Sequence, residues 1–529
     1  MLNPAIKRET YSELRMQLPS QLPAFLLRQR WFGAKARQIA STEIADIIGI
    51  KTGHLESLVV LVGVKFAEGA EEHYVLPLVA VAALEAQDSS PVLLSITDAE
   101  SKRTLVLGNA LESDDFLESL LELVRGDRVL SGERGELRGC RSGAFAQLRP
   151  PSGGPLKAKL LRGEQSNSSV VYDDRLILKF FRRIEEGVNP DLEMTAFLTE
   201  RAHYQHVPAL AGFLEYRTRN GKSSTQAILQ AFVPNESDAW KYTRRSLERF
   251  YEVAESASRG GASLASDQVH QFTRETIGGY LKSVALLGRR TAELHLALAS
   301  DSDDPAFAPE PFSIDFQKSS ETALLRMSSQ VLRLLREKIP LLPPLWQAKA
   351  QAVAHREGEI ANRFRAGLSE PIKGTRIRSH GDFHLGQVLY TGSDFVIIDF
   401  EGEPARPLSE RRIKRSPLQD VAGMLRSFHY AAFAPLLGTS GSEAVDGTRF
   451  ERMRVWAESW NAQVRDAFLA EYFATSGAAP FMPDTPAETS KLLELYVLEK
   501  AVYELGYELN NRPDWVGLPL EGVSKVLAI

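Results

Sequence analysis

The sequence predicts an α+β protein of two lobes, and three observations carry that prediction. Strand-like runs at 58–64 (LVVLVGV), 74–80 (YVLPLVA), 176–181 (LILKFF) and 227–233 (AILQAFV) fall in the first half of the chain. From about residue 236 the apolar spacing is helical. One hairpin interrupts it, 387–390 and 395–399, turned at Thr391-Gly392-Ser393-Asp394.

The first 90 or so residues read as a small α+β unit, with the polar turn Glu68-Gly69-Ala70-Glu71 between its two strands. Just before them, Trp31 and Phe32 are expected to pack into that unit. Residues 111–125 have helical spacing, with Leu111, Phe116, Leu117, Leu120 and Leu121 on one face. The breaker cluster 149–155 marks a hairpin tip or a joint. At 529 residues the chain is too long for one core, and domains are expected at 1–90, 91–235 and 236–529.

Lys and Arg total 63 against 68 Asp and Glu, a net charge of −5 that argues against a nucleic-acid partner. A single cysteine, Cys140, leaves no internal disulfide. No stretch has the layout of a signal peptide or a membrane span, so a cytoplasmic location and no membrane partner are expected.

The chemistry concentrates in Ser379-His380-Gly381-Asp382-Phe383-His384-Leu385-Gly386-Gln387. Asp382 and Gln387 are separated by four residues, the gap between base and metal-binding amide in the protein-kinase catalytic loop. Such a loop turns back so that a carboxylate meets an acceptor hydroxyl while the amide oxygen reaches Mg²⁺. Twelve residues on, the hairpin ends in Asp399-Phe400-Glu401-Gly402. By itself Asp399 would be an ordinary strand-end acid. At matched offsets with Asp382 and Gln387 it reads as a Mg²⁺ ligand.

Upstream, Lys179 sits inside an apolar strand and needs an anionic partner. Asn189-Pro190 starts a helix, with Asn189 as N-cap, and Glu193 one turn in is the expected partner. A lysine and glutamate so placed orient the nucleotide phosphates in kinases. Ser166, Asn167 and Ser168 lie in a polar loop that can fold over phosphates or form a plain hairpin turn. Gln230, Phe232 and Val233, ahead of Pro234, are the expected adenine hinge. Lys500, Tyr503 and Tyr507 share one helical face and are expected to meet a sugar, as is His380. His295 reads as a core histidine or one behind the site, and Asp420 as the N-cap of a helix over 420–433. The run Arg411-Arg412-Ile413-Lys414-Arg415 reads as a solvated face or a phosphate contact.

The strings DFEGEPARPL (399–408) and NNRPDW (510–515), with SHGDFHLGQVL and RQRWFGAKAR, make the chain similar to the maltokinase family over nearly its whole length. That family is also found as the C-terminal module of some trehalose synthases. The resemblance implies a bilobal kinase-like fold, with an N-terminal α/β cap subdomain and a mainly helical C-lobe. It implies ATP and Mg²⁺, and transfer to the anomeric hydroxyl of maltose. Asp382 would be the base, Gln387 and Asp399 would hold Mg²⁺, and Lys179 would contact phosphate. Trehalose synthase and a glucan-building maltosyltransferase are the implied pathway neighbours. Two alternatives stay open: a kinase for another sugar or amino sugar such as glucosamine, and a non-catalytic sugar-binding regulatory module on the same scaffold.

Overall fold

The computed structural model describes residues 11–52, 55–81, 94–97, 104–148, 156–161, 166–258, 265–404, 406–437 and 447–528. The breaker cluster 149–155 and residues 162–165 of the polar loop lie outside them. The chain forms two compact units, Met1–Arg201 with Pro208–Pro234, and Ala202–Val207 with Asn235–Ile529.

The first unit opens with α1 (Tyr11–Arg28), then β1 (Ile39–Thr52), β2 (Leu55–Phe66), β3 (Glu72–Val81), β4 (Leu94–Thr97) and β5 (Thr104–Asn109). These strands pair in the order β1-β2-β3-β5-β4, so the cap sheet runs past residue 90 to Asn109. The run 58–62 is apolar throughout because both faces are covered. Leu58, Val60 and Val62 pack with Leu14, Leu18 and Leu22 of α1, while Val59 and Leu61 join the core beneath the second sheet. Gly69, at φ +87°, makes the expected turn between β2 and β3. Phe32 is buried, and both it and Trp31 pack on Tyr74, as the sequence predicts.

Next come α2 (Asp114–Arg125), β6 (Val129–Ser131), β7 (Gly135–Arg141), α3 (Phe145–Leu148), β8 (Ala158–Leu160), β9 (Asn167–Tyr172), β10 (Leu176–Phe181) and β11 (Arg183–Ile184). The unit closes with α4 (Pro190–Ala196), β12 (Leu210–Thr218) and β13 (Ser223–Ala231). The second sheet has the order β6-β7-β12-β13-β10-β9-β8. Ser113 caps α2, whose Phe116, Leu117, Leu120 and Leu121 are buried, so the face read from spacing is the packed one.

In the second unit, β14 (Ser237–Asp238) leads into α5 (Ala239–Ser258), α6 (Ser266–Thr276), α7 (Gly278–Leu298), β15 (Glu310–Pro311), α8 (Ile314–Lys338), α9 (Pro344–Ala354) and α10 (Glu357–Leu368). Then follow β16 (Thr375–Arg376), β17 (Val388–Tyr390), β18 (Phe395–Ile397) and α11 (Leu408–Arg411). The unit ends with α12 (Leu418–Phe433), α13 (Gly447–Ser476), α14 (Pro486–Asn511) and α15 (Gly517–Leu527). The hairpin expected at 387–399 is present as β17 and β18, closed by Thr391 N–H on the Asp394 carbonyl. α12 is buried on almost every side, which its apolar sequence requires. At Gly423 a Cβ would stand 2.6 Å from the Phe383 carbonyl, so only glycine lets the loop before β17 lie directly on this helix.

Candidate active site

In the first unit, β10 runs between β9 and β13 and carries Lys179 on its half-buried face. The ammonium is 3.1 Å from the Asp191 carboxylate and 5.6 Å from the centre of the Phe181 ring. Asn189 caps α4 by accepting from Asp191 N–H, as its sequence predicts. That cap sets Asp191, whose side chain is 1% exposed, against the lysine. Asp191 was not legible as the partner, since the first turn of α4 offers both Asp191 and Glu193. Glu193 is half-buried on the same helix.

Ser168 Oγ accepts from Arg182 Nε at 3.0 Å. Two expectations in this unit need correction. Gln230 lies inside the sheet, paired on both sides, with its amide on Thr195. Phe232 N–H is engaged by the Arg175 carbonyl, and so is not open to an adenine. Ser166 is exposed, Asn167 begins β9, and Val233 follows β13 in the half-buried segment ahead of Pro234.

In the second unit, the loop carrying Asp382 is anchored by a buried carboxylate. Asp420, 2% exposed, accepts from His380 N–H at 2.7 Å and Gly381 N–H at 2.9 Å. His295 Nε2 approaches Asp420 at 3.2 Å while its Nδ1 faces the Tyr472 hydroxyl at 2.9 Å. A neutral imidazole meets both contacts by donating from Nε2 and accepting at Nδ1. Burial would raise the Asp420 carboxyl, but the His295 hydrogen bond leads the groups that bring it below the usual range. Asp420 is therefore not the N-cap of α12, which starts two residues earlier; it lies in the first turn and fastens the loop. His295 stands behind the site, as expected.

His380 also has a different place from the one predicted. It is 1% exposed, its Nε2 donates to the Ile398 carbonyl at 2.9 Å, and its ring packs on Phe383 and Phe400. Buried this way it shapes the loop and cannot reach a sugar. His384 accepts from Gly386 N–H at Nδ1, which directs a protonated Nε2 toward Asp382, 3.9 Å away. Burial holds the His384 imidazole below its ordinary pKa, so it is neutral at pH 7.

Gln387 and Asp399 are brought together across the β17–β18 hairpin, where Ile398 N–H donates to the Gln387 carbonyl. Asp399 takes φ +68°, a left-handed conformation that costs a non-glycine residue energy and concentrates at functional positions. An amide oxygen and a carboxylate on adjacent backbone positions are the hard donors that suit Mg²⁺.

Asp382 opens into a cleft lined also by Glu403, Arg406, Arg411, Arg415, Glu499, Lys500 and Tyr503. Lys500 Nζ is 3.5 Å from Asp382 Oδ1 and 5.1 Å from the centre of the Tyr503 ring. Burial disfavours its charge, yet Asp382, Glu504 and Glu403 outweigh it and raise the ammonium above its ordinary pKa. Burial pushes the Glu403 and Glu499 carboxyls up against nearby cations. Tyr507 does not join this cleft: it is 46% exposed, and Arg512 stacks over it. Seven residues on a helix return nearly to the starting azimuth but two turns further along, here beyond the cleft. The basic run is split by its fold. Arg411 and Arg415 line the cleft, while Lys414 is buried on Glu310 and the Pro305 carbonyl.

Residues 25–111 match the family model of the maltokinase N-terminal cap domain. A glucosamine kinase of Mycolicibacterium smegmatis (strain ATCC 700084 / mc(2)155) is 26% identical over 275 residues, 51% of this chain and 58% of that protein. One from Streptacidiphilus jiangxiensis is 24% identical over 359 residues, 67% and 70% of the two chains. The match thus spans little more than half of the first relative's length. A solved glucosamine kinase in complex with glucosamine, ADP and inorganic phosphate superposes with a TM-score of 0.61 at 19% identity, covering 96% of this chain and 97% of that one. Another crystal form gives 0.62 at 20% identity. Among the described residues no helix is long and apolar enough to cross a membrane. The chain thus carries a segment that matches the maltokinase N-terminal cap model and shares the fold of the solved glucosamine kinases.

Proposed function

We propose that this chain is an ATP-dependent sugar kinase whose acceptor is maltose, phosphorylated on its anomeric hydroxyl. The observation that carries the reading is Asp382, half-buried in a cleft of hydrogen-bonding side chains on a loop that Asp420 holds rigid. A carboxylate so held can take the proton of an acceptor hydroxyl. An anomeric hydroxyl is more acidic than a simple alcohol, so little push is required of the base. Lys500, 3.5 Å from Asp382 Oδ1, aims the carboxylate, and Tyr503 offers an aromatic face to a sugar ring. Lys179, oriented by Asp191, is assigned to the nucleotide phosphates. Gln387 and Asp399 would hold Mg²⁺, which when bound neutralises phosphate charge. Most of the rate gain in such a reaction comes from positioning and electrostatics.

Maltose is favoured by the cap match and by the intact DFEGEPARPL and NNRPDW strings. A second reading, glucosamine, has its own support: the named relatives are glucosamine kinases, and Glu403, Glu410 and Glu499 give the cleft carboxylates that suit an ammonium. Supplying the purified protein with MgATP and maltose, glucosamine, glucose or trehalose separates the two. Maltose is expected to give the highest kcat/KM and a product without a reducing end. A higher value for glucosamine would replace maltose, and no phosphorylation of any sugar would remove the kinase reading.

A further inference from the structure

The motif around Trp31 and the cap itself have no part in the chemistry above, yet both converge on one buried cation. Arg182 directly follows β10, the strand of Lys179, and is 5% exposed. Its Nε donates to Ser168 Oγ on β9 at 3.0 Å, and its Nη2 to Asn109 Oδ1 at the end of the cap strand β5 at 3.4 Å. The guanidinium lies 5.4 Å from the centre of the Trp31 ring and 5.8 Å from that of Phe180. Its backbone is held as well, since Val75 N–H of β3 donates to the Arg182 carbonyl. The next two residues form β11 and pair with β3. Thus the chain leaves the lysine strand and enters the cap sheet without a break, and the one side chain at the crossing binds both sides.

We infer that Arg182 is a positioning residue through which the cap holds the β9–β10 pair, and with it Lys179, in register for the nucleotide. The inference rests on the assignment of that pair to phosphate binding. An arginine suits the task because its planar fork can donate in two directions at once while its face rests on indole. A lysine keeps the charge but lacks the fork. Burial draws the guanidinium down to about 10, so it stays charged at neutral pH and its hydrogen bonds remain charge-assisted.

The cap docks on the rest of its unit at a second place, which supplies the control. Asp46 of β1 is fully buried and accepts from Glu133 N–H, Arg134 N–H and the Tyr216 hydroxyl, near the opposite edge of the second sheet. Removing it loosens the cap without touching β9 or β10.

The test titrates a fluorescent ADP analogue into the full-length protein and its variants, alongside melting curves and, for any sugar that is phosphorylated, KM for ATP and for the sugar. Arg182→Met is expected to weaken analogue binding about three- to tenfold, the scale of one net intramolecular hydrogen bond. KM for ATP should rise with it while KM for the sugar holds. Arg182→Lys should restore part of the loss, and Asn109→Ala should move affinity the same way by less. Asp46→Ala should lower the melting temperature at unchanged analogue affinity. If Arg182→Met binds the analogue as wild type does, the inference fails. It fails equally if Asp46→Ala costs as much affinity as Arg182→Met. Should Arg182→Met not fold, unchanged affinity in Asn109→Ala overturns it. The analogue titration needs no sugar turnover, so absence of kinase activity in the wild type sinks the functional reading while these affinities still judge Arg182.

Discussion

The two units each present a lysine–aspartate pair, and the pairs are built differently. In the first, Asp191 is 1% exposed and Lys179 17%, at 3.1 Å. In the second, Asp382 is 25% exposed and Lys500 28%, at 3.5 Å. The first pair is a strut in which a buried carboxylate fixes where a cation points. The second is a loose contact that leaves Asp382 with a carboxylate oxygen for a substrate. The two pairs thus share their chemistry and differ in burial.

The largest expected effect tests the second pair. Asp382→Asn should cut turnover by about 10³-fold or more while ATP binding stays near wild type. Unchanged turnover would remove Asp382 from the mechanism. Lys179→Met should lower kcat/KM about 10²-fold, and Asp191→Asn about tenfold, because the second leaves the lysine present but unaimed. Equal losses from the two would mean that the strut does more than orient.

Asp420→Asn should lower kcat about tenfold through misplacement of the loop. It also has a pH signature. The folded-state pKa of Asp420 lies below its unfolded value, so its stabilisation is complete above the unfolded pKa of about 3.9 and fades as pH falls through the folded value. The melting temperature of Asp420→Asn should therefore trail wild type at pH 7, and the gap should narrow in acid. A gap that does not change with pH would show that the carboxylate charge is irrelevant to the anchor. The smallest expected effect separates two tyrosines. Tyr503→Ala should raise sugar KM several-fold, while Tyr507→Ala should leave it within about twofold, since exposed substitutions away from a site cost little. Equal rises would return Tyr507 to the cleft.

What the sequence determined by itself is local. The gap between Asp382 and Gln387, the strand of Lys179, the Asn189 cap and the hairpin before Asp399 all depend on periodicity, turn chemistry and short offsets, and each holds in the structure. Tertiary structure decided which polar groups those elements leave over. Asp191, turned inward by the Asn189 cap, meets Lys179 across 12 residues of chain, and Asp420 reaches the loop across 40. His380 looks like a ligand in a string of letters, yet it is buried against a backbone carbonyl 18 residues further on. Tyr507 has the right periodicity and lies too far along its helix. Spacing fixes direction along an element, whereas burial and hydrogen-bond satisfaction depend on which elements pack together. For that reason Asp382, Lys500 and Tyr503 were legible as candidates, while the role of Asp420 in fastening the loop was not.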